Sequence, residues 1–133
     1  MKKLLFTFAL FITLMQVQAQ QTEKELMESA VFKSITEPIA GIAELSKIIE
    51  INPQNSEAFM FRAMAKNSLE DFRGAISDYT KAIEINPKNS KFYYLRGLAN
   101  LMIDKKDEGC LDLSKAGEMG EVEAYKSIKE NCQ

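Results

Sequence analysis

Cys110 and Cys132 are the only two thiols in the chain, and no histidine accompanies them. Imidazole acid–base catalysis, the commonest zinc ligand and a near-neutral protonation switch are therefore absent. Two thiolates alone cannot complete a tetrahedral zinc site, and this pair is not a C-x-x-C redox motif. They read either as a disulfide or as two buried small side chains, and the compartment decides between these. Carboxylates come close together at Glu70-Asp71 and at Glu121 to Glu123. Both groups fall at helix junctions, where an acid complements a helix N-terminus rather than doing proton chemistry. Asp104-Lys105-Lys106-Asp107-Glu108 mixes both signs and reads as a solvated turn. No glycine-rich phosphate loop, nucleophile elbow or metal motif is present, so neither an enzyme nor a cofactor is expected.

The background composition agrees. With 133 residues, 46% hydrophobic and 27% charged, the chain suits one globular domain and is too apolar for a disordered one. A net charge of −2 supplies no basic footprint for nucleic acid.

The first nineteen residues read as an address. Met1-Lys2-Lys3 is basic, Leu4 to Met15 is apolar apart from Thr7 and Thr13, and Val17-Gln18-Ala19 ends on a small residue. That three-part pattern predicts a secretory signal peptide over 1–19, cut after Ala19. The apolar run is too short to span a bilayer as a helix, so no stable membrane insertion is expected after cleavage. Without Lys2 and Lys3, 15 basic and 19 acidic side chains remain, a net charge of −4. The protein is expected to be exported, either periplasmic or secreted, and export favours the disulfide.

The elements that position these residues come from an internal repeat. Ile49-Glu50-Ile51-Asn52-Pro53-Gln54-Asn55-Ser56 recurs at an offset of 34 as Ile83-Glu84-Ile85-Asn86-Pro87-Lys88-Asn89-Ser90, with seven of eight residues identical. The period divides residues 20–133 into units 22–55, 56–89 and 90–123 plus a short tail. In the middle unit Ser56 serves as an N-cap, a helix runs to about Ser68, and Leu69-Glu70-Asp71 turns the chain. Phe72, Ala75, Ile76, Tyr79, Ala82 and Ile83 then form the stripe of a second amphipathic helix, which Asn86-Pro87 ends. Strand periodicity is missing.

Phe59, Ala63, Ala75, Tyr79, Ala82 and Pro87 carry a resemblance to the tetratricopeptide repeat, a 34-residue helix–turn–helix unit in which small residues admit close helix approach and large ones fill the gaps. The last unit supplies Tyr93, Gly97 and Ala116 but departs at Gly109, Leu113 and Glu121. The first is degenerate: it has Gly41, Leu45 and Pro53, but Glu25 and Ser29 stand in its first helix. Leu113 to Tyr125 is also similar to the turn of Sel1-like repeats, with two glycines breaking one helix before a capping helix at about 121–131. The resemblance implies an all-α, right-handed α-solenoid with a C-terminal cap. If the last hairpin turns near Gly120-Glu121, Cys110 lies 10 residues before Gly120 and Cys132 lies 11 after Glu121. A disulfide there would clamp the cap onto the last repeat; the alternative is two free buried thiols.

The family's first helices line a concave face that holds peptides or partner helices. The inward positions map to Glu57, Met60, Met64, Asn67 and Ser68, and then to Lys91, Tyr94, Leu98, Leu101 and Met102. Met60, Met64, Tyr94, Leu98 and Leu101 are the expected partner-binding anchors, since methionine adapts to varied apolar surfaces and tyrosine favours interfaces. The plainer alternative is that Leu98 and Leu101 pack on the capping helix. Met60 and Met64 stand where chaperone-binding relatives carry lysine and asparagine, so binding of acidic tails is not expected. The function implied is non-enzymatic binding of a protein or peptide partner. A self-associating homodimer is the other possibility.

Overall fold

Helix starts recur at Pro38, Phe72 and Lys106, and again at Ser56 and Ser90, each one repeat of 34 apart. The computed structural model describes residues 1–133, the side chain of Lys2 excepted. It contains α1 (Lys2–Thr36), α2 (Pro38–Ile51), α3 (Ser56–Ser68), α4 (Phe72–Ile85), α5 (Ser90–Leu101), α6 (Lys106–Glu118) and α7 (Val122–Asn131), with no strand among the described residues. Successive helices pack on one another, and α1 also reaches α3. The result is an all-α solenoid of stacked helical hairpins.

Local chemistry sets the boundaries. Asn55, rather than Ser56, caps α3: its Oδ1 accepts from the Ala58 N–H at 3.0 Å, and Ser56 is already helical. Asp71 caps α4 through the Gly74 N–H at 2.9 Å. Asn89 caps α5 through the Lys91 N–H at 3.1 Å. These acceptors satisfy amide donors that a helix start leaves free. Glu70 and Asp104, 34 residues apart, both take left-handed backbone (φ 61° and 60°) to end α3 and α5. Gly120, at φ 100°, does the same for α6. Gly117 does not break that helix. It stays inside α6, and Tyr125 donates its hydroxyl proton to the Gly117 carbonyl at 3.0 Å.

The core follows the small–large pattern. Ala63, Ala75, Tyr79 and Ala99 form one fully buried cluster, with Met60, Ile76 and Leu95 packed against it. Phe59, Ala82 and Phe92 form the next. Burying an aromatic of this size contributes about 1.5–3 kcal/mol. In the last hairpin Gly97 and Gly109 face each other so closely that a Cβ on Gly109 would sit 2.9 Å from the Gly97 carbonyl oxygen.

The first hairpin departs from this register. Only Glu37 separates α1 from α2, whereas Leu69 to Asp71 separate α3 from α4. Proline at the start of α2 lets the chain turn with no left-handed residue. α1 therefore runs on to Thr36, and Gly41 meets it at Ser34, five residues beyond the Ser29 that the repeat spacing selects. Ala30 and Ser34 are buried, while Glu25 and Ser29 are exposed. Upstream, α1 passes unbroken through Ala19 and Gln20, and no described residue before Glu23 is even partly buried. Its most apolar stretch has mean hydropathy 1.2 and no burial. By length and composition alone α1 could cross a membrane, which widens the expectation drawn from the twelve-residue run; N-terminal export signals pass the same test.

Candidate partner-binding face

Two recurring polar clusters fix the first helices that carry the expected anchors. Arg62 on α3 grips Asp78 on α4 with two parallel bonds, Nε to Oδ2 at 2.9 Å and Nη2 to Oδ1 at 2.7 Å. Its Nη1 donates to Ser46 Oγ at 3.0 Å, tying the fork to α2 of the preceding hairpin. One repeat later Arg96 grips Asp112 at 2.7 and 2.8 Å and donates to Thr80 at 3.1 Å. Each hydroxyl also donates to a carbonyl of its own helix, Ser46 to Ile42 and Thr80 to Ile76. Asp112 holds the Arg96 guanidinium above its ordinary pKa, chiefly by this hydrogen bond. Each guanidinium also stacks on an aromatic ring, Arg62 over Phe59 at 5.4 Å and Arg96 over Tyr93 at 5.9 Å. Arginine suits the position because its planar fork meets a carboxylate and a ring at once.

On this frame the five anchors separate. Met64 is exposed at 38%. Tyr94 and Leu98 are half-buried. Met60 is half-buried and packs against both central core clusters. Leu101 lies over Gly109, where an added Cβ would meet its Cγ at 2.9 Å, so it closes the α5–α6 hairpin. Met102, next to it, is 63% exposed.

A broad cleft lies elsewhere. It has a volume of about 660 Å³ and runs between α1 and α3. Met27, Val31, Phe32, Ile35 and Phe61 form its apolar wall, with Glu23, Glu28 and Glu57 among its polar residues. None of the five anchors lines it. The apolar spacing Met27, Val31, Ile35 was readable in the sequence as one helical face. Its position opposite Phe61 was not, because that depends on the one-residue connector. The repeated Arg, Asp and hydroxyl positions were also readable at the offset of 34.

At the other end, Cys110 on α6 and Cys132 just past α7 are joined by a disulfide, with Cα atoms 5.7 Å apart. Beside Ser90 and Lys91 the contact with Glu123 raises the pKa of Glu121, while that of Glu123 is lowered first by a hydrogen bond from its own backbone N–H and then by Glu121. Burial pushes the Tyr79 phenol far above its ordinary 10.0, against the smaller lowering effect of the hydrogen bond from Asn67. Among the described residues no cluster of metal-ligating side chains occurs.

Residues 65–104 match the family model described as "TPR repeat". The first TPR of Spaghetti (RPAP3), solved bound to the HSP90 peptide SRMEEVD, superposes with a TM-score of 0.79 at 25% identity, covering 85% of this chain and 92% of that one. The fold is that of a tetratricopeptide-repeat domain. The first TPR domain of human RPAP3 gives a TM-score of 0.78 at 24% identity over 84% of this chain and 90% of that one. MamA gives 0.75 at 21% identity, and the match spans 80% of this chain but only 64% of MamA. No curated protein matches the chain.

Proposed function

We propose that this tetratricopeptide-repeat chain is an exported, non-enzymatic interaction module of the cell envelope that holds a segment of a partner protein on the face formed by α1, α3 and α5. The observation that carries the reading is the set of large apolar side chains left accessible there. Phe32 and Ile35 on α1 are 67% and 74% exposed, and Met64 on α3, whose Arg62 is committed to Asp78, is 38% exposed. Exposed apolar groups gathered on one face mark binding surfaces. The Spaghetti domain, alike in fold, takes a peptide on its own surface. That peptide, SRMEEVD, is acidic. Glu23, Glu28 and Glu57 on this chain oppose such a ligand, so the partner segment is apolar and not acidic. Export rests on the leader pattern of 1–19 and fits the disulfide.

The test is affinity capture from the native cell envelope with the exported chain as bait, beside a Met64→Glu, Leu98→Glu double variant and a Phe32→Glu variant whose folds are confirmed by circular dichroism. A partner held by the parent and lost with either variant supports the reading. Capture unchanged in both would move binding off this face. Intact mass of the exported protein tests the leader: processing after Ala19 leaves Gln20 as the first residue, and an uncut chain refutes it.

A further inference from the structure

We infer that the cleft between α1 and α3 is the principal seat of the partner, and that its occupant is an amphipathic helix with lysine or arginine on its polar flank. This rests on the binding reading above and deepens it by naming the surface and the ligand chemistry.

Three observations lead there. The first is the extra length of α1. A single connecting residue, Glu37, carries α1 past the point where repeat spacing would end it, and this brings Phe32 and Ile35 beside Phe61. Hairpin packing does not use Phe32 and Ile35, which remain 67% and 74% exposed, although α1 and α2 are tightly joined at Gly41.

The second is the shape and chemistry of the floor. Met27, Val31 and Ile35 recur every fourth residue along one ridge of α1, and Phe61 on α3 forms the facing wall. A groove between two helices accepts the ridge of a third. An extended peptide would need partners along the floor for its backbone N–H and C=O groups. Met27, Val31, Ile35 and Phe61 offer none, and of the uncharged polar side chains in the lining, Gln20 and Asn55, Asn55 is already bonded to Glu23 and to the Ala58 N–H. A helix satisfies its own backbone and brings only side chains.

The third is charge. Glu23, Glu28 and Glu57 line the cleft against one cation, Lys24. Lys24 lies 4.0 Å from Glu28, and it is the only cation within ion-pair distance of these three acids among the described residues. Lys33, on the same helix, is occupied by Glu44 on α2. The cleft therefore carries a net negative field that favours a basic ligand and accelerates its approach at low salt.

The experiment uses the protein as the expressing cell exports and processes it. The probes are two fluorescein-labelled synthetic helices with leucine on one face. One carries lysine on the other face, and its counterpart carries glutamate. Fluorescence anisotropy should show the lysine helix binding about tenfold tighter than the glutamate helix, with the difference shrinking as salt rises. Phe32→Glu should weaken the lysine helix about tenfold or more, while the melting temperature stays at the parent value because the side chain is exposed. Glu57→Lys should weaken the lysine helix and strengthen the glutamate helix, a reversal that general destabilisation would not produce. Failure of the lysine helix to bind the parent would overturn the inference. So would binding indifferent to both Phe32→Glu and Glu57→Lys. If Met64→Glu, Leu98→Glu removes binding and the cleft variants do not, the inference falls while the broader reading stands.

Discussion

Arg62 and Arg96 do the same work one repeat apart, but their carboxylates are not equally placed. Asp78 receives Lys66 Nζ at 2.8 Å as well as the arginine fork, and its side chain is only 5% exposed. In the next repeat Asn100 stands where Lys66 stood, so Asp112 serves one cation. Removing one member of a buried pair leaves the other charge desolvated and unpaired, which costs about 3–5 kcal/mol. Asp78→Ala is therefore expected to lose about 3 kcal/mol or more by urea denaturation, and Asp112→Ala distinctly less. An equal loss at both sites would mean that Lys66 contributes nothing. Tyr79 supplies a pH test. Its phenol pKa is raised in the folded state by burial, so its contribution is intact below the unfolded value of 10.0 and is lost as pH rises above it. Between those limits the unfolded chain releases a proton that the folded chain keeps, and unfolding is favoured. Stability should fall more steeply above pH 10 in the parent than in Tyr79→Phe. Parallel curves would show that the phenol is not held neutral.

At the scale of the helix pair, Gly41 decides where α1 and α2 meet. A Cβ there would lie 2.3 Å from Ser34 Cα and 2.4 Å from its backbone nitrogen, so a backbone would have to move. Alanine is favoured over glycine inside a helix by about 1 kcal/mol. Overpacking against rigid backbone costs about 1–3 kcal/mol and should win. Gly41→Ala is thus expected to lower the melting temperature and to prise α1 from α2; a rise would show that α1 shifts freely. The same junction explains what the sequence could and could not show. Repeat spacing fits the starts of α2, α4 and α6, 34 residues apart, although α6, unlike α2 and α4, does not end at an Asn-Pro step and the turn before α2 is a single residue. It assigned Ser29 to the contact that Ser34 makes, because a fixed period assumes a fixed connector. A one-residue connector changes which faces meet while leaving the hydrophobic count intact. Met60 and Leu101 took inner-face positions in the repeat, yet Met60 also packs against both central core clusters and Leu101 lies over Gly109. Those contacts depend on neighbouring helices, which periodicity within one helix does not report.

The whole molecule is a stack in which each hairpin touches only its neighbours, so its ends are its weak points. The C-terminal end is closed by α7, ten residues long, whose fully buried residues are only Ala124 and Ser127. A helix of that length does not persist alone in water, and two small buried side chains hold it weakly. Tyr125 adds one hydrogen bond to Gly117, and the Cys110–Cys132 bond closes the loop of chain that contains α7. Closing a loop of this size contributes about 3 kcal/mol on a chain-entropy argument. The disulfide is therefore the larger share of what keeps the cap docked. The central hairpins, built on Tyr79, Phe92 and the two arginine forks, do not depend on it. Reduction, or Cys132→Ser, should release α7 by local opening rather than unfold the stack. Hydrogen exchange reads this directly: amides from Ala124 to Asn131 should lose protection while those of α3 to α5 keep theirs. If protection falls across all helices together, α7 belongs to the same cooperative unit as the core, and the bond stabilises the whole domain rather than its end.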